Sequence, residues 1–380
     1  MTYALAPTSR IGILGGGQLG RMMLPTCMRF GLNVHIMDGD ASAPAGAFCG
    51  RFVQGDPLSA EAVFHFGQHL DCVTLEIEHV SLDGLKQLEA SGVSIYPKPA
   101  LLEIVQDKGL QKQFYQEHGF PTSPFELIES RSEITPERFR LPVVQKSRRD
   151  GYDGRGVQVI NAPDALANAF DVPSVVEEKV DIAQEISVIV ARSPSGAVRT
   201  FPTVEMVVSN VSNMLDYLLS PARLSPSIER QCIEVAESLA TALDLVGLLA
   251  VELFVSQNGQ VLINEIAPRP HNSGHHSIEA NVTSQFEQHV RAVCDMPLGD
   301  TALKSPAVMV NLVGAKGYQG PVRYEGFNHV LAMPDVYIHL YGKAETRPFR
   351  KMGHVTIVRP NVSEAIEIAQ QIKEEMQVIA

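Results

Sequence analysis

The sequence predicts an α/β protein, because strand-like and helix-like segments alternate along its first hundred residues. Short apolar runs at 10–14, 33–37 and 71–77 are interpreted as strands. The segments 18–30 and 59–70 between them are interpreted as helices. This alternation is typical of β-α-β units and predicts a parallel sheet.

The pattern changes near residue 96, where two prolines in 96–100 indicate a linker. A helix is then expected from 101 to near Gly119, and another over 228–243. After Pro297 a smaller region follows, with a helix from 363 to about 375. Strands are expected at 143–146, 158–160, 175–178, 185–191, 198–202, 250–255, 261–265 and 308–312. We therefore predict three domains, at 1–100, 101–298 and 299–380.

The charge balance excludes a general polyanion binder. The chain of 380 residues has 31 Lys and Arg against 43 Asp and Glu, a formal charge of −12. Binding nucleic acid or an anionic membrane surface requires clustered cations, so neither is expected as a partner. A local basic patch can still bind one phosphorylated small molecule.

The cysteines and the N-terminus predict a cytoplasmic protein. Five scattered cysteines form no C-x-x-C pair, which is typical of reduced thiols. No basic region followed by an apolar core is visible at the N-terminus. The most apolar stretch, 243–255, carries Asp244 and Glu252 and is too short to span a bilayer.

A glycine turn, 15–20 (GGGQLG), follows the first strand and opens a helix. It satisfies G-x-G-x-x-G, and Asp38 stands where a dinucleotide enzyme has its ribose-binding acid. The turn therefore indicates NAD binding. A close-packed turn, or one that holds a different phosphate, explains the motif equally well.

The segment 146–156 (KSRRDGYDGRG) places four cations and three glycines in one loop after a strand. Such a loop suits phosphate binding, since glycines allow close backbone approach and cations neutralise charge. It is not a P-loop, and a solvated basic hairpin is the alternative.

Two acidic residues interrupt or end apolar runs further along the chain: Glu252 lies within the run 248–255, and Glu265, next to Asn264, ends a second run. On adjacent strands their carboxylates could converge and hold Mg²⁺ together with nucleotide phosphates. Strand alternation also permits one or both to face solvent.

The loop 268–276 (PRPHNSGHH) is dense in polar side chains and suits stabilisation of transition-state charge. A zinc site at His271, His275 and His276 is less favoured, because no carboxylate or cysteine lies at a standard ligand spacing. A plain surface loop is the third interpretation.

Two further features are weaker. The run 341–351 contains Lys343, Arg347, Arg350 and Lys351 and indicates either capture of one phosphate or a charged turn. Glu76 and Glu78 end the strand at 71–77, where they either line a ligand crevice or form an outward polar face.

Taken in order, these motifs resemble the ATP-grasp enzymes, and among them the ligases that carboxylate aminoimidazole ribonucleotide. The resemblance runs from residue 11 to about 358 and is most specific at 11–21, 151–156, 264–275 and 343–354. It implies an ATP-grasp fold with an N-terminal Rossmann-like preATP-grasp domain and a small β-rich C-terminal domain.

The resemblance also implies ATP and Mg²⁺ as cofactors, with Mn²⁺ as a substitute. Glu252 and Glu265 match the metal ligands. The residues 177–180 match the adenine-binding segment, and Glu185 matches the ribose acceptor. The full set expected to bind ATP is Lys108, Lys146, Gly151, Tyr152, Asp153, Gly154, Arg155, Gly156, Val157, Glu177, Glu178, Lys179, Val180, Glu185, Asn264 and Glu265.

For the ribonucleotide, Lys343 and Arg350 match the residues that grip its 5′-phosphate. The residues expected to bind this substrate are Gly17, Gln18, Leu19, Glu76, Tyr152, Asp153, Arg155, Asn272, Ser273, Lys343 and Arg350. Those expected to act in catalysis are Asp153, Arg155, Arg269 and His271.

The implied reaction is a ligation through carboxyphosphate, with bicarbonate as the third substrate and a homodimer as the assembly. Three alternatives are a formate-using or biotin-carboxylase-like ATP-grasp enzyme, an NAD-dependent oxidoreductase, and a nucleotide sensor without catalysis. The oxidoreductase leaves the loop after Lys146 and the pair Glu252 and Glu265 unexplained.

Overall fold

The computed structural model describes residues 9–135, 137–149, 151, 156–208 and 215–380. In the N-terminal region helices and strands alternate, and the strands pair in parallel in the order β3-β2-β1-β4-β5. The elements are β1 (Arg10–Leu14), α1 (Gln18–Arg29), β2 (Asn33–Asp38), β3 (Arg51–Gln54), α2 (Ala60–Gly67), β4 (Cys72–Leu75), α3 (Leu82–Ala90), β5 (Ser94–Tyr96) and α4 (Pro99–Val105).

This sheet is covered on both faces, which explains its continuous apolar strands. In β1, Ile11 and Ile13 pack with α1, while Leu14 packs on the other side with residues of α2 and α3. The strand order reverses between β1 and β4, and their carboxyl ends bound a crevice of the kind that binds ligands in α/β sheets.

The central region contains a four-stranded antiparallel sheet in the order β6-β9-β7-β8 and much of a larger sheet. Its elements are α5 (Lys108–Glu117), β6 (Phe125–Ile128), β7 (Val143–Ser147), β8 (Val157–Ile160), β9 (Ser174–Glu178), β10 (Ile182–Arg192), β11 (Val198–Thr200), β12 (Val204–Val208), β13 (Leu215–Ser220), α6 (Pro226–Ala242), β14 (Gly247–Ser256), β15 (Val261–Ala267), α7 (Ser277–Ala280) and α8 (Gln285–Val293). Single 3₁₀ turns lie at Arg131–Glu133, Pro163–Asn168 and Asn272–Gly274.

The C-terminal region continues the larger sheet rather than forming a separate one. Its elements are β16 (Ala307–Val313), β17 (Gly320–Pro321), β18 (Arg323–Glu325), α9 (Phe327–Leu331), β19 (Val336–Leu340), β20 (Glu345–Thr346), β21 (Lys351–Val358), α10 (Val362–Glu375) and β22 (Gln377–Ile379). The strand order is β15-β14-β10-β12-β13-β16-β21-β19, with β11 on β10. The antiparallel pair of β13 and β16 therefore joins the two regions.

The α/β class is confirmed, and β1 has the expected bounds. The single helix expected from 101 to near Gly119 is wrong, because the chain forms α4 and α5 with a break at Asp107. The Asp107 carboxylate accepts the N–H groups of Gly109 and Leu110 and so starts a new helix. The linker expected at 96–100 is also wrong, since Tyr96 ends β5 and Pro99 begins α4.

All five cysteines are free thiols. Among the described residues, no helix is long and apolar enough to cross a membrane.

Candidate functional site

Two carboxylates and two lysines meet at the edge of the larger sheet. Glu252 on β14 lies opposite Glu265 on β15, and the register then shifts so that Asn264 is the extra residue of a β-bulge. Lys108 Nζ lies 2.6 Å from Glu265 Oε1. Lys146 Nζ lies 2.8 Å from Asn264 Oδ1. The bulge thus presents two consecutive residues of β15 to two different lysines.

The break between α4 and α5 places Lys108 at this edge. Lys108 is the first residue of α5, directly after the cap Asp107. Arg148, just beyond β7, donates to both oxygens of Asp107 at 2.9 and 2.8 Å. Burial, the largest single influence, would raise the pKa of Asp107, but the hydrogen bonds and charge of Arg148 together with the N–H groups of Gly109 and Leu110 outweigh it, and the pKa is lowered. The charged Asp107 therefore ties α5 to the end of the strand that carries Lys146.

Glu252 sits in an environment that disfavours its negative charge. Its side chain is 26% exposed. Burial, followed by the charges of Glu265 and Glu185, raises its pKa to about 7. His271 Nε2 lies 3.5 Å from Glu252 Oε1. A cation would relieve this repulsion, so the two opposed carboxylates fit a divalent ion.

No group of three His, Cys, Asp or Glu side chains with metal-site geometry occurs in the described parts of the chain. A divalent ion held by Glu252 and Glu265 would need phosphate or water oxygens for the rest of its coordination. That donor set is typical of Mg²⁺ bound together with a nucleotide. The same finding gives no support to the zinc interpretation of His271, His275 and His276.

Glu177 is buried between two lysines, a feature that the sequence reasoning missed. Its Oε1 lies 3.2 Å from the Nζ of both Lys112 and Lys146, and Ser123 Oγ donates to its Oε2 at 2.8 Å. Lys112 follows Lys108 by four residues, so a shared helix face was the available signal. Both oxygens of Glu177 are therefore engaged by neighbouring side chains.

The other residues expected near adenine and ribose are more exposed than Glu177. Glu178 and Lys179 are exposed and Val180 is partly buried. Glu185, on β10, is partly buried, and this burial raises its pKa. Val157, which begins β8, is also exposed.

The glycine turn packs closely against Glu76. The backbone N–H groups of Gly17 and Leu19 donate to the Glu76 carboxylate at 3.3 and 3.1 Å. Gly15 has a φ of +101°, and a Cβ there would lie 2.5 Å from Glu76 Oε2. The backbone N–H groups at the start of α1, which could form an anion seat for a phosphate, are therefore occupied by the Glu76 carboxylate. This packing disfavours the NAD interpretation.

Gln18 is partly buried between these donors. The Gly16 N–H donates to Asp38 Oδ2 at 2.7 Å, so the Asp38 carboxylate also stabilises the glycine turn. Glu76 and Glu78 lie just beyond β4, which ends at Leu75. Their position at the carboxyl edge agrees with the crevice interpretation of the strand end.

The loop after β15 is held mainly by internal bonds. Arg269 is partly buried, and its Nε lies 2.8 Å from Glu78 Oε1. The His271 ring contacts Ser273 Oγ at 2.9 Å, and Ser273 Oγ also contacts Ser187 Oγ at 2.7 Å. The Ser273 side chain therefore supports the loop and does not face the cleft. Asn272 Oδ1 is buried without a hydrogen-bond partner among the described residues.

The basic run at 341–351 faces the N-terminal sheet. Lys343 Nζ donates to the Lys351 carbonyl at 2.8 Å, and Arg350 donates to the Glu345 carbonyl at 2.7 Å. Hydrogen bonds from Ser42, and to a smaller extent the charge of Arg350, lower the pKa of Asp40 just after β2. The run thus lies across the crevice from the strand ends.

The segment after β4, the start of α5, the start of the basic loop, β14, the end of β15 and the loop after it line a cleft of about 660 Å³. Six of the residues that line it are Glu78, Lys108, Glu252, Glu265, Arg269 and His271, and Gly151 lies at its edge. Gly156, at the far end of the basic loop, has a φ of +72° and its carbonyl accepts the Ser147 N–H at 2.8 Å. Tyr152, Asp153, Gly154 and Arg155 lie outside the described residues.

Family comparisons cover most of the chain. A ribonucleotide synthetase preATP-grasp domain matches residues 8–106, an ATP-grasp domain matches 113–286, and a phosphoribosylaminoimidazole carboxylase C-terminal domain matches 307–368.

Individual proteins match along nearly their full length. The N5-carboxyaminoimidazole ribonucleotide synthase of Synechococcus elongatus is 38% identical over 97% of this chain and 94% of its own. The crystal structure of the Thermotoga maritima synthetase superposes with a TM-score of 0.92 at 40% identity, over 98% of this chain and all of its own. The Aspergillus clavatus synthase, crystallised with ADP and 5-aminoimidazole ribonucleotide, has a TM-score of 0.84 at 31% identity, over 96% of this chain and all of its own.

Proposed function

Because the chain belongs to the N5-carboxyaminoimidazole ribonucleotide synthase family of ATP-grasp ligases, we propose that it carboxylates the exocyclic amine of 5-aminoimidazole ribonucleotide. The reaction consumes ATP and bicarbonate and serves purine biosynthesis. The observation that carries the proposal is the cleft wall on which Lys108 and Lys146 meet Glu265 and Asn264, with Glu252 opposite. Lysines beside paired carboxylates suit the binding of ATP phosphates with a divalent ion.

The chemistry divides into two steps. A bicarbonate oxygen attacks the γ-phosphorus of ATP, ADP leaves, and carboxyphosphate forms. The amine then attacks the carboxyl carbon, directly or after release of CO₂, and phosphate and one proton leave as the carbamate forms. Since phosphoryl transfer needs mainly alignment and charge neutralisation, Lys108 and Lys146 would hold the phosphates in line with bicarbonate.

Glu252 and Glu265 would hold Mg²⁺, or Mn²⁺ in its place. Such an ion would supply positive charge that neutralises the charge developing on the phosphate during transfer. Glu252 must lose its proton to act as a ligand, and its pKa of about 7 puts that event near neutral pH.

Arg269 and His271 lie on the same cleft and would act on the second step. The Arg269 guanidinium is partly buried and paired with Glu78, so it would be oriented as an electrostatic partner for carboxyphosphate. His271 would accept the proton that the amine releases. We assign Asp153 and Arg155 to catalysis from the family resemblance alone.

Binding of the ribonucleotide is assigned to the crevice between the N-terminal sheet and the C-terminal region. Lys343 and Arg350 would grip the 5′-phosphate, since they form the basic side of this crevice. The turn at 17–19, with Glu76, would form the opposite wall. Asn272, whose buried Oδ1 has no partner in the described structure, is placed to accept a hydrogen bond from the substrate.

We also propose a homodimer in the cytoplasm. Light scattering during gel filtration tests the dimer, and cell fractionation tests the location. Neither result affects the assignment of the reaction.

The reaction is tested by phosphate release from ATP, measured with and without the ribonucleotide and bicarbonate. We expect release to require both, and the product to be an acid-labile carbamate. Formate in place of bicarbonate should give no product. Release that is independent of the ribonucleotide, or a formylated product, would refute the proposal.

A further inference from the structure

Lys112 is a buried cation for which neither the family resemblance nor the reaction above has a role. It lies on α5, one turn after Lys108, and is 3% exposed. Its Nζ donates to Thr122 Oγ1 at 2.5 Å and to Ser123 Oγ at 3.1 Å, and pairs with Glu177 Oε1 at 3.2 Å. Burying an ammonium group costs several kcal/mol unless it is paired, so this complete set of contacts indicates a specific task.

These contacts connect the elements that carry the phosphate-binding residues. Thr122, which accepts from Lys112, donates to the carbonyl of Ile263, the residue directly before Asn264. Ser123 donates to Glu177 on β9, and Glu177 pairs with Lys146 on β7. Lys112 therefore lies behind the cleft wall and is linked to β9 directly, and to β7 and β15 through one intervening residue each.

The charges around Glu177 determine how strongly the protein holds the Lys146 ammonium group. Glu177 carries one negative charge and lies at equal distances from two ammonium groups. With both lysines in place, the cluster has a net charge of +1, and Lys146 shares its carboxylate. Without Lys112, the buried carboxylate would have Lys146 as its one close cation among the described residues, and would bind it more strongly.

We propose that Lys112 is a positioning residue for ATP, which balances Glu177 so that the Lys146 ammonium remains available to the nucleotide phosphates. This inference rests on the proposed function, because it assigns Lys146 to ATP. It concerns affinity for nucleotide and not the carboxylation itself. Nucleotide binding measured without ribonucleotide or bicarbonate therefore tests it separately.

The test uses Lys112→Met, Glu177→Gln and the double variant, with a non-hydrolysable ATP analogue and Mg²⁺ in titration calorimetry. Lys112→Met should weaken binding about 10-fold or more, the effect of losing one charge-assisted contact. The double variant should bind more tightly than Lys112→Met, because a neutral amide in place of the Glu177 carboxylate releases Lys146. Steady-state kinetics of Lys112→Met should show a raised KM for ATP and an unchanged KM for the ribonucleotide.

Lys86→Met is the matched control, since Lys86 forms an exposed ion pair with Glu103, and its affinity should equal that of the wild type. Ser123→Ala removes a hydrogen bond to Glu177 without changing the charge. This variant provides the test if Lys112→Met does not fold. Ser123→Ala should bind the ATP analogue several-fold more weakly than the wild type does.

Two results would overturn the inference. One is a double variant that binds the ATP analogue no better than Lys112→Met does. If Lys112 only stabilised the fold, neutralising Glu177 would restore no affinity. The other is unchanged nucleotide affinity in folded Lys112→Met or in Ser123→Ala. A lack of ribonucleotide-dependent turnover alongside the predicted affinities would refute the proposed function and leave the role of Lys112 standing.

Discussion

Replacing Glu252 by glutamine should stabilise the metal-free protein at neutral and alkaline pH. The native carboxyl has its pKa raised from 4.5 to about 7, by burial first and then by Glu265 and Glu185. Glutamine has nearly the same shape and carries no charge. It therefore removes the repulsion and keeps the packing, while it also removes one of the two proposed metal ligands.

The direction follows from proton linkage. Between pH 4.5 and 7 the unfolded chain has lost the Glu252 proton and the folded chain retains it. The contribution of this group to stability is thus fully present below pH 4.5, falls as pH rises, and is lost above pH 7. The full loss is about 3 kcal/mol, since each tenfold change in a protonation equilibrium is worth about 1.4 kcal/mol.

Urea unfolding without divalent ions, at several pH values from 5 to 8, measures this difference. The free energy of unfolding of Glu252→Gln minus that of the wild type should grow by roughly 2 kcal/mol over this range, and other titrating groups cancel in the difference. A constant difference, or a variant that is less stable at pH 8, would refute the assigned environment of Glu252. In Glu265→Gln, the free energy of unfolding should fall less steeply with pH than in the wild type, because Glu265 contributes to the raised pKa of Glu252.

Three other substitutions test separate parts of the site. Glu265→Ala should abolish Mg²⁺-dependent phosphate release, and near-normal activity in that variant would reject the metal assignment. Lys343→Ala should raise the KM for the ribonucleotide more than the KM for ATP, and the opposite pattern would reject its role at the 5′-phosphate. Asp107→Ala should lower the free energy of unfolding by about 3 kcal/mol, because it removes both hydrogen bonds from Arg148 and the cap of α5; thermal and urea unfolding measure this loss.

The sequence predicted three of the five strands of the N-terminal sheet, β1, β2 and β4, because these are apolar runs separated by turn residues, and it missed the short, partly exposed β3 and β5. It could not predict the break at Asp107. Periodicity continues through 101–119 and hides the break, which begins at the Asp107 cap and is held by the pairing of Asp107 with Arg148, 41 residues further along the chain. A local pattern does not contain that contact.

The same limit applies to the carboxylate pair. Alternation in two strands left the orientation of Glu252 and Glu265 open, because a shift of one residue reverses the face. The bulge at Asn264 decides it, and the bulge exists only once β15 is paired with β14. The glycine turn is a related case, since the carboxylate that fills its anion seat comes from Glu76, just beyond the neighbouring strand β4.

The pairing of charges in the cleft connects metal binding with nucleotide binding. Lys108 is held by Glu265 and Arg269 by Glu78 in the metal-free protein, so two of its cations are already neutralised. A phosphate that enters alone must compete with these carboxylates. A divalent ion on Glu265 would take over the charge that Lys108 now neutralises, and would leave Lys108 free to turn to a phosphate oxygen. With the proposed metal ligands, the arrangement would therefore favour the nucleotide that arrives with its metal ion over the free nucleotide, which is the selectivity that a phosphoryl-transfer site needs.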